Sequence, residues 1–211
     1  MSLSQIETGG VVFEPQSDIS IVVNIPGRYS LSSRRDSSGE RRVYACRAVS
    51  LSPSSITLIA PVVSKIGERV IAQIQHLGKL HGPICRLLEQ GFVMRVAANR
   101  EERSRLAARI AWLDSHKNHD LQDRRTDERT APANPHSKLI LADGSIETCF
   151  VIDLSVSGAA VSADTVPGIG TVLAVGSVVG RVVRHFSGGF AVHFVERQSR
   201  DTVETMVILG A

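Results

Sequence analysis

Two arginines four residues apart form the pair in this 211-residue chain best suited to binding an anion. Arg125 and Arg129 make an Arg-x-x-x-Arg pattern, with Arg124 beside it. A guanidinium group is a planar fork of N–H donors that matches two phosphate oxygens or the O6 and N7 edge of guanine. Because Asp127 and Glu128 nearly cancel the local charge, the pattern favours a compact ligand over a long duplex. Taken alone, such a run is more often a solvated charged surface.

A second polar group follows, at residues 153–158, where a strand is predicted to end in a turn. Its polar members are Asp153 and Ser155, and Gly158 closes it. A carboxylate can accept hydrogen bonds from guanine N–H groups, a hydroxyl adds a short polar contact, and glycine lets a ring approach the backbone. The structural interpretation is equally simple: Asp and Ser hydrogen-bond the local backbone, and Gly158 supplies a positive φ. Each pattern alone is a weak signal.

The chain repeats its own order of small residues. Cys46 and Ser52 match Cys149 and Ser155 at an offset of 103 residues. After a gap of five residues the match resumes at an offset of 98. The positions matched at an offset of 103 also include Ile66-Gly67 with Ile169-Gly170, and those matched at an offset of 98 are Gly82 with Gly180, Arg86 with Arg184, and Gly91-Phe92 with Gly189-Phe190. This repeat predicts two copies of one domain, each of about 100 residues.

Short segments rich in β-branched residues, separated by Gly, Pro and Asp turns, make up each copy and predict a small antiparallel barrel. Aromatic residues are only 4% of the chain, so aliphatic side chains must fill its core. In the second copy the predicted strands are 138–141, 147–154, 159–163, 171–175, 177–185 and 190–195; in the first copy the first strand is predicted at 28–31.

Between the copies the apolar spacing becomes helical. Asn99 and Glu102 have the spacing of a capping box. Leu106, Ile110 and Leu113 then predict a helix that ends near residue 116 and packs on the first barrel. A shorter helix is expected after residue 199. The polar residues 117–134 are predicted to be a linker, which divides the chain into residues 1–116, 117–134 and 135–211.

In this order, the two polar patterns resemble the PilZ domain, the bacterial receptor module for cyclic di-GMP. The resemblance covers residues 121–211 and includes Gly189-Phe190. It implies a six-stranded barrel, and together with the internal repeat it predicts a mainly β fold of two small six-stranded antiparallel PilZ-type β-barrels. It also implies that flexible arginines fold over the dinucleotide, and that an arginine just before the motif accompanies a stacked, intercalated ligand dimer. The implied cyclic di-GMP ligands are Arg124, Arg125, Arg129, Asp153, Ser155 and Gly158.

The first copy departs from this pattern. Ser50, Ser52 and Ser55 stand where the second copy has Asp, Ser and Gly, and residues 15–22 contain no arginine. We therefore predict a PilZ-like barrel without the binding site, with a structural, dimerisation or partner-docking role. Its basic loop, residues 28–47, is of a kind that is usually solvated, although this one could dock an acidic partner.

The function predicted is that of a cyclic di-GMP effector, in which ordering the linker arginines changes the angle between the barrels and regulates an output such as motility or exopolysaccharide production. One alternative is a ligand-independent adaptor that binds other proteins. Another is a nucleic-acid-binding module that uses the basic loop near residues 34–42. The formal net charge of only +3 and the low aromatic content count against it.

Other chemistry finds little support in the sequence. The three cysteines are too far apart for a disulfide framework or a zinc site, and His116 and His119 lack companion ligands. No nucleophile elbow, phosphate-binding glycine loop or paired carboxylates are present. We therefore expect no enzyme, cofactor or metal. The start of the chain has no secretory pattern, and no long apolar run suggests a membrane span, so a cytoplasmic protein is expected.

Overall fold

The computed structural model describes residues 20–115 and 129–208, which form two closed six-stranded antiparallel β-barrels and two helices. The predicted fold class is thereby confirmed. The first barrel contains β1 (Ile21–Leu31), β2 (Tyr44–Leu51), β3 (Ser55–Ile59), β4 (Arg69–Ile74), β5 (Gly78–Leu88) and β6 (Gly91–Arg95), followed by α1 (Arg100–Ser115). The second contains β7 (His136–Ile140), β8 (Ile146–Ser155), β9 (Gly158–Ala163), β10 (Val172–Val175), β11 (Val178–Phe186) and β12 (Gly189–Phe194), followed by α2 (Arg200–Ile208).

Both barrels have the same strand order. Around the first it is β1-β2-β3-β6-β5-β4, and the second follows the equivalent order β7-β8-β9-β12-β11-β10. The repeat extends to irregularities of register. The β2–β3 pairing shifts between Ala48 and Ser50, and the β8–β9 pairing shifts between Val151 and Asp153, which is the same offset of 103. The sequence repeat therefore encodes β-bulges as well as strands, and Asp153 directly follows one of them.

The repeated glycines allow neighbouring strands to approach closely. A Cβ atom on Gly91 would lie 2.0 Å from the carbonyl oxygen of Leu58. On Gly189 it would lie 2.1 Å from that of Val161. Leu58 and Val161 are themselves equivalent at the offset of 103. The glycines thus recur because each barrel leaves no room for a side chain there.

Each barrel has its own apolar core. The first is built around Tyr29, whose ring centroid lies 5.5 Å from those of both Tyr44 and Phe92. The second is mostly aliphatic, as the composition predicts. Cys46 and Cys149 are buried and free, and burial raises the pKa of Cys149 to about 12. These two thiols therefore act as small apolar fillers.

The two helices follow the predictions. Asn99 Oδ1 accepts from the Glu102 amide, and Glu102 Oε2 accepts from the Asn99 amide, both at 2.9 Å, which is the predicted capping box. The buried side chains of α1 are Leu106 and Ile110. Within the described residues, neither helix combines the length and apolar character needed to cross a membrane.

The first strand is longer than predicted. Strand β1 begins at Ile21 rather than at residue 28, because Ile21, Val23 and Ile25 alternate as partly buried side chains on the core. The Pro-Gly pair at 26–27 resembles a turn in the sequence. It lies inside the strand instead, beside a shift of register between residues 22 and 25. The predicted strands of the second barrel agree with the observed bounds to within two residues.

The barrels meet with strand β2 facing β8 and β9. The Arg47 guanidinium carbon lies 5.9 Å from the ring centroid of Phe150, and these two residues occupy equivalent positions in the repeat. On β9, Ser162 Oγ accepts from the Ala45 amide at 3.1 Å. The interface therefore brings equivalent strands of the two copies together.

Candidate functional site

Asp153 and the residues after it occupy the turn between two strands of the second barrel. Strand β8 ends at Ser155, and β9 begins at Gly158. The bulge before Asp153 changes the alternation of side chains, so Asp153 is partly exposed while Leu154 and Ser155 are buried. The turn therefore presents the carboxylate at the barrel surface.

Residues 129–135, here called the entry segment, lie antiparallel to β8. Thr130 and Leu154 exchange two backbone hydrogen bonds of 2.9 Å. At the other end of the segment, the Pro135 carbonyl accepts from the Val151 amide at 2.6 Å. These contacts fix both ends of the entry segment against the strand that carries Asp153.

The two motifs meet through one ion pair. Arg129 Nη1 lies 3.0 Å from Asp153 Oδ1, and the side chains are 33% and 28% exposed. Arg129 comes from the first motif and Asp153 from the second, 24 residues later. An accessible pair of this kind contributes at most about 1 kcal/mol to stability. It places a cationic donor and an anionic acceptor side by side, open to a ligand.

Ser155 has a local structural role. Its side-chain oxygen donates to the Gly158 carbonyl at 3.2 Å and accepts from the Ser157 amide at 3.4 Å. In the first barrel, Ser52 Oγ similarly donates to the Ser55 carbonyl at 3.3 Å and accepts from the Ser55 amide at 3.0 Å. The same serine therefore closes the same turn in both barrels, with or without the other motif residues.

Gly158 is explained by space rather than by its backbone dihedral. Its φ is outside the left-handed region, so the expected positive φ is wrong. A Cβ atom on Gly158 would lie 2.4 Å from the Val192 carbonyl oxygen of β12. The glycine thus permits close approach of two strands beneath the turn.

Arg124 and Arg125 lie outside the described residues, as do His116 and His119. The structure therefore brings Arg129, Asp153, Ser155 and Gly158 together without describing the other two predicted ligands. Among residues 20–115 and 129–208, no cluster of His, Cys, Asp and Glu side chains could hold a metal ion.

The first barrel has no equivalent charge pair. Ile21 is paired with Leu51 just as Thr130 is paired with Leu154. By this register Ser20 takes the place of Arg129, and Ser50 takes the place of Asp153. These two equivalent positions of the first barrel are uncharged serines, which provides an internal comparison for the site.

Several arginines of the predicted basic loop contact the second barrel. Asp164, directly after β9, accepts hydrogen bonds from Tyr44 Oη at 2.8 Å, Arg42 at 3.2 Å and Arg34 at 3.4 Å. Burial, followed by the hydrogen bond to Asp164, raises the pKa of Tyr44 to about 12. The loop was expected to be solvated or to dock an external acidic partner. These arginines instead find an acidic partner within the chain.

One aspartate after a strand has no distinctive spacing, so the sequence does not mark Asp164 as a functional residue. Arg47, which the sequence places in the basic loop, instead belongs to β2 and is only 5% exposed. The density of arginine before β2 was the available signal. That density does not indicate which acidic group these arginines contact.

No protein-family model matches the chain, and neither does any curated protein sequence. Among solved structures, the Borreliella burgdorferi PlzA protein in complex with c-di-GMP matches at 12% identity and a TM-score of 0.27, over 90% of this chain and 92% of that one. The Bacillus subtilis inhibitor of motility MotI/DgrA matches at 11% identity and a TM-score of 0.28, over 89% and 94%. The K. pneumonia MrkH–c-di-GMP complex matches at 10% identity and a TM-score of 0.27, over 86% and 83%. At these TM-scores the function has to be argued from the chain's own residues.

Proposed function

We propose that this protein is a cyclic di-GMP receptor whose second barrel binds the dinucleotide. The observation that carries the proposal is the Arg129–Asp153 ion pair, which joins the two motifs at one accessible point of the surface. The PilZ-like order of these motifs supplies the identity of the ligand. The role is that of an effector rather than an enzyme, with no cofactor or metal.

The chemistry of the pair suits a guanine nucleotide. The Arg129 guanidinium can donate to the O6 and N7 edge of a guanine or to a phosphate. The Asp153 carboxylate accepts only, which suits the N–H donors on the opposite edge of the same base. Cyclic di-GMP presents two such bases and two phosphates in one compact dianion. Its binding exchanges the internal Arg129–Asp153 contact for contacts to the ligand.

The remaining motif residues act around this pair. Arg125 and Arg124 precede Arg129 and supply further guanidinium groups for the phosphates and bases. A second, stacked ligand molecule is proposed to accompany Arg124. Ser155 and Gly158 shape the turn beneath the base, as their contacts within the turn suggest.

We propose that the first barrel transmits the signal. Its orientation relative to the second barrel changes when the arginines close on the ligand. The regulated output is a bacterial process such as motility or exopolysaccharide production, through a protein target docked on the first barrel; a homodimer is also compatible with this role.

A ligand-independent adaptor is the second candidate. The observation that favours it is that Arg129 and Asp153 already pair with each other, so these two charges neutralise one another without a ligand. In that case the chain binds a protein partner and ignores cyclic di-GMP.

Calorimetric titration of cyclic di-GMP into the wild type and an Arg125→Ala/Arg129→Ala variant separates these candidates. Each lost bidentate contact costs about 1–3 kcal/mol, or roughly 5- to 150-fold in affinity. The receptor predicts micromolar or tighter binding by the wild type and its loss in the variant, and the heats report the ligand stoichiometry. A wild type that binds no cyclic di-GMP would favour the adaptor.

A further inference from the structure

Arg47 is a buried cation that reaches from the first barrel to the segment carrying Arg129. It lies on β2 and is 5% exposed. Its Nη1 donates to the Pro132 carbonyl at 2.6 Å, and its guanidinium faces the Phe150 ring of β8. Pro132 belongs to the entry segment, three residues after Arg129. A side chain of the first barrel thus contacts the approach to the proposed site in the second.

This contact holds the entry segment between its two points of attachment to β8. The bonds to β8 hold Thr130 at one end and Pro135 at the other. Between them, the Pro132 carbonyl turns to Arg47 instead of to β8. A hydrogen bond from a charged donor is stronger than a neutral one, and losing the donor would leave a carbonyl at the barrel interface unsatisfied. The middle of the segment is therefore held from outside β8, by Arg47 of the first barrel at Pro132 and by Glu204 of α2, whose carboxylate accepts from the Ala133 amide at 3.1 Å.

We propose that Arg47 is a positioning residue that holds the entry segment on β8 and so places Arg129 beside Asp153. The first barrel, whose own site is replaced by serines, then sets the affinity of the second barrel's site without itself contacting the ligand. The effect on affinity rests on the proposed function, whereas the effect on the segment does not.

The chain offers a matched control. Asp164 also joins the two barrels, but it lies after the far end of β9, and its hydrogen bonds go to Tyr44, Arg42 and Arg34 of the first barrel. Asp164→Asn therefore weakens the interface between the two barrels at a point away from the entry segment. Arg47→Met removes the charge and the donors while keeping a long side chain, and Arg47→Lys keeps the charge but replaces the planar guanidinium with a single ammonium nitrogen.

Hydrogen exchange on the full, ligand-free chain tests the positioning directly. The amides of Thr130 and Leu154 are the reporters, because each donates to the other residue's carbonyl. Arg47→Met is expected to speed their exchange by about tenfold, with Arg47→Lys intermediate and Asp164→Asn unchanged. Unchanged exchange in Arg47→Met, or equal acceleration in Asp164→Asn, would overturn the inference. If Arg47→Met does not fold, Arg47→Lys decides by the same comparison.

Cyclic di-GMP titration of the same variants gives the second readout. Arg47→Met should bind about tenfold more weakly, and Asp164→Asn should bind within twofold of the wild type. Wild-type affinity in Arg47→Met would contradict its control of the site. If the wild type binds no cyclic di-GMP, the proposed function fails, and the exchange experiment still decides whether Arg47 positions the segment.

Discussion

Arg129 and Asp153 are each about one-third exposed, so a ligand can reach both without unfolding the turn. Their ion pair adds little to stability at this exposure, because water screens it. The ion pair matters for ligand binding instead, because it places the guanidinium donors of Arg129 beside the carboxylate acceptor of Asp153. Affinity and stability should therefore respond differently to changes at this pair.

Arg129→Lys tests that separation. A lysine keeps the charge but cannot form the two parallel hydrogen bonds of a guanidinium, so cyclic di-GMP should bind about tenfold more weakly. Urea unfolding should change by less than about 1 kcal/mol. Arg86 is an exposed residue of the first barrel, and Arg86→Lys is the control. It should change neither the affinity for cyclic di-GMP nor the free energy of unfolding. A large loss of stability with unchanged affinity in Arg129→Lys would reverse this assignment.

At this scale the sequence identifies the residue types but not all of their roles. Arg129 and Asp153 are each singled out in a separate motif, and the structure brings these two residues into contact. Ser155 turns inward to its own turn, and Gly158 makes room for β12. Arg47 has no local pattern at all, because its importance depends on a segment 85 residues away.

The sequence repeat lies in the strands and turns. Its matched residues are those whose size and backbone conformation a closed barrel restricts most. Bulges and close glycines recur at fixed offsets in both barrels. These features are readable from sequence as paired small residues. The length of β1 cannot be read from the sequence in this way. A Pro-Gly pair inside a strand resembles a turn, because the sequence alone does not show the core on which that strand packs.

Gly189→Ala should destabilise the second barrel. Its added methyl would lie 2.1 Å from a backbone oxygen of β9, and such overpacking costs about 1–3 kcal/mol. Gly168→Ala is the matched control, because its methyl would meet only a threonine hydroxyl at 3.7 Å. Urea unfolding of both variants measures the difference. Equal stability of the two would contradict the close-packing explanation.

Glu68, just before β4, should make stability depend on acid. Hydrogen bonds from Ser32 Oγ at 2.6 Å and the Ser33 amide at 2.8 Å lower its pKa in the folded state. The carboxylate's contribution is therefore fully present above the unfolded pKa and is lost as pH falls through the lower folded value. Unfolding at pH 7 and at about pH 3.5 should show a smaller acid loss in Glu68→Gln than in the wild type. An identical loss in both proteins would exclude this role.

At the scale of the whole molecule, the described residues form two copies of one barrel, and the Arg129–Asp153 pair of the second is replaced by Ser20 and Ser50 in the first. The repeat predicts both barrels, but their packing depends on side-chain encounters that no local pattern encodes. Asp164 meeting Arg34 and Arg42 is one example, and Arg47 facing Phe150 is another. Of these two contacts, that of Arg47 lies near the proposed site, and we propose that it gives ligand binding a route to the arrangement of the barrels.

Small-angle scattering with and without cyclic di-GMP tests this route. If closing the arginines on the ligand rearranges the barrels, the wild-type curve should change on saturation. The Arg125→Ala/Arg129→Ala variant should give the same curve with and without the ligand. Superimposable wild-type curves, measured where calorimetry shows saturation, would remove the rearrangement from the proposed mechanism.

The most direct measurement of the receptor proposal is a calorimetric comparison of two equivalent positions. Asp153→Ala removes the acceptor of the second barrel, and Ser50→Ala truncates its counterpart in the first. We expect the wild type and Ser50→Ala to bind cyclic di-GMP equally and Asp153→Ala to bind it at least about tenfold more weakly. Equal affinities in all three proteins would contradict a site in the second barrel, and no binding by the wild type would contradict the receptor function itself.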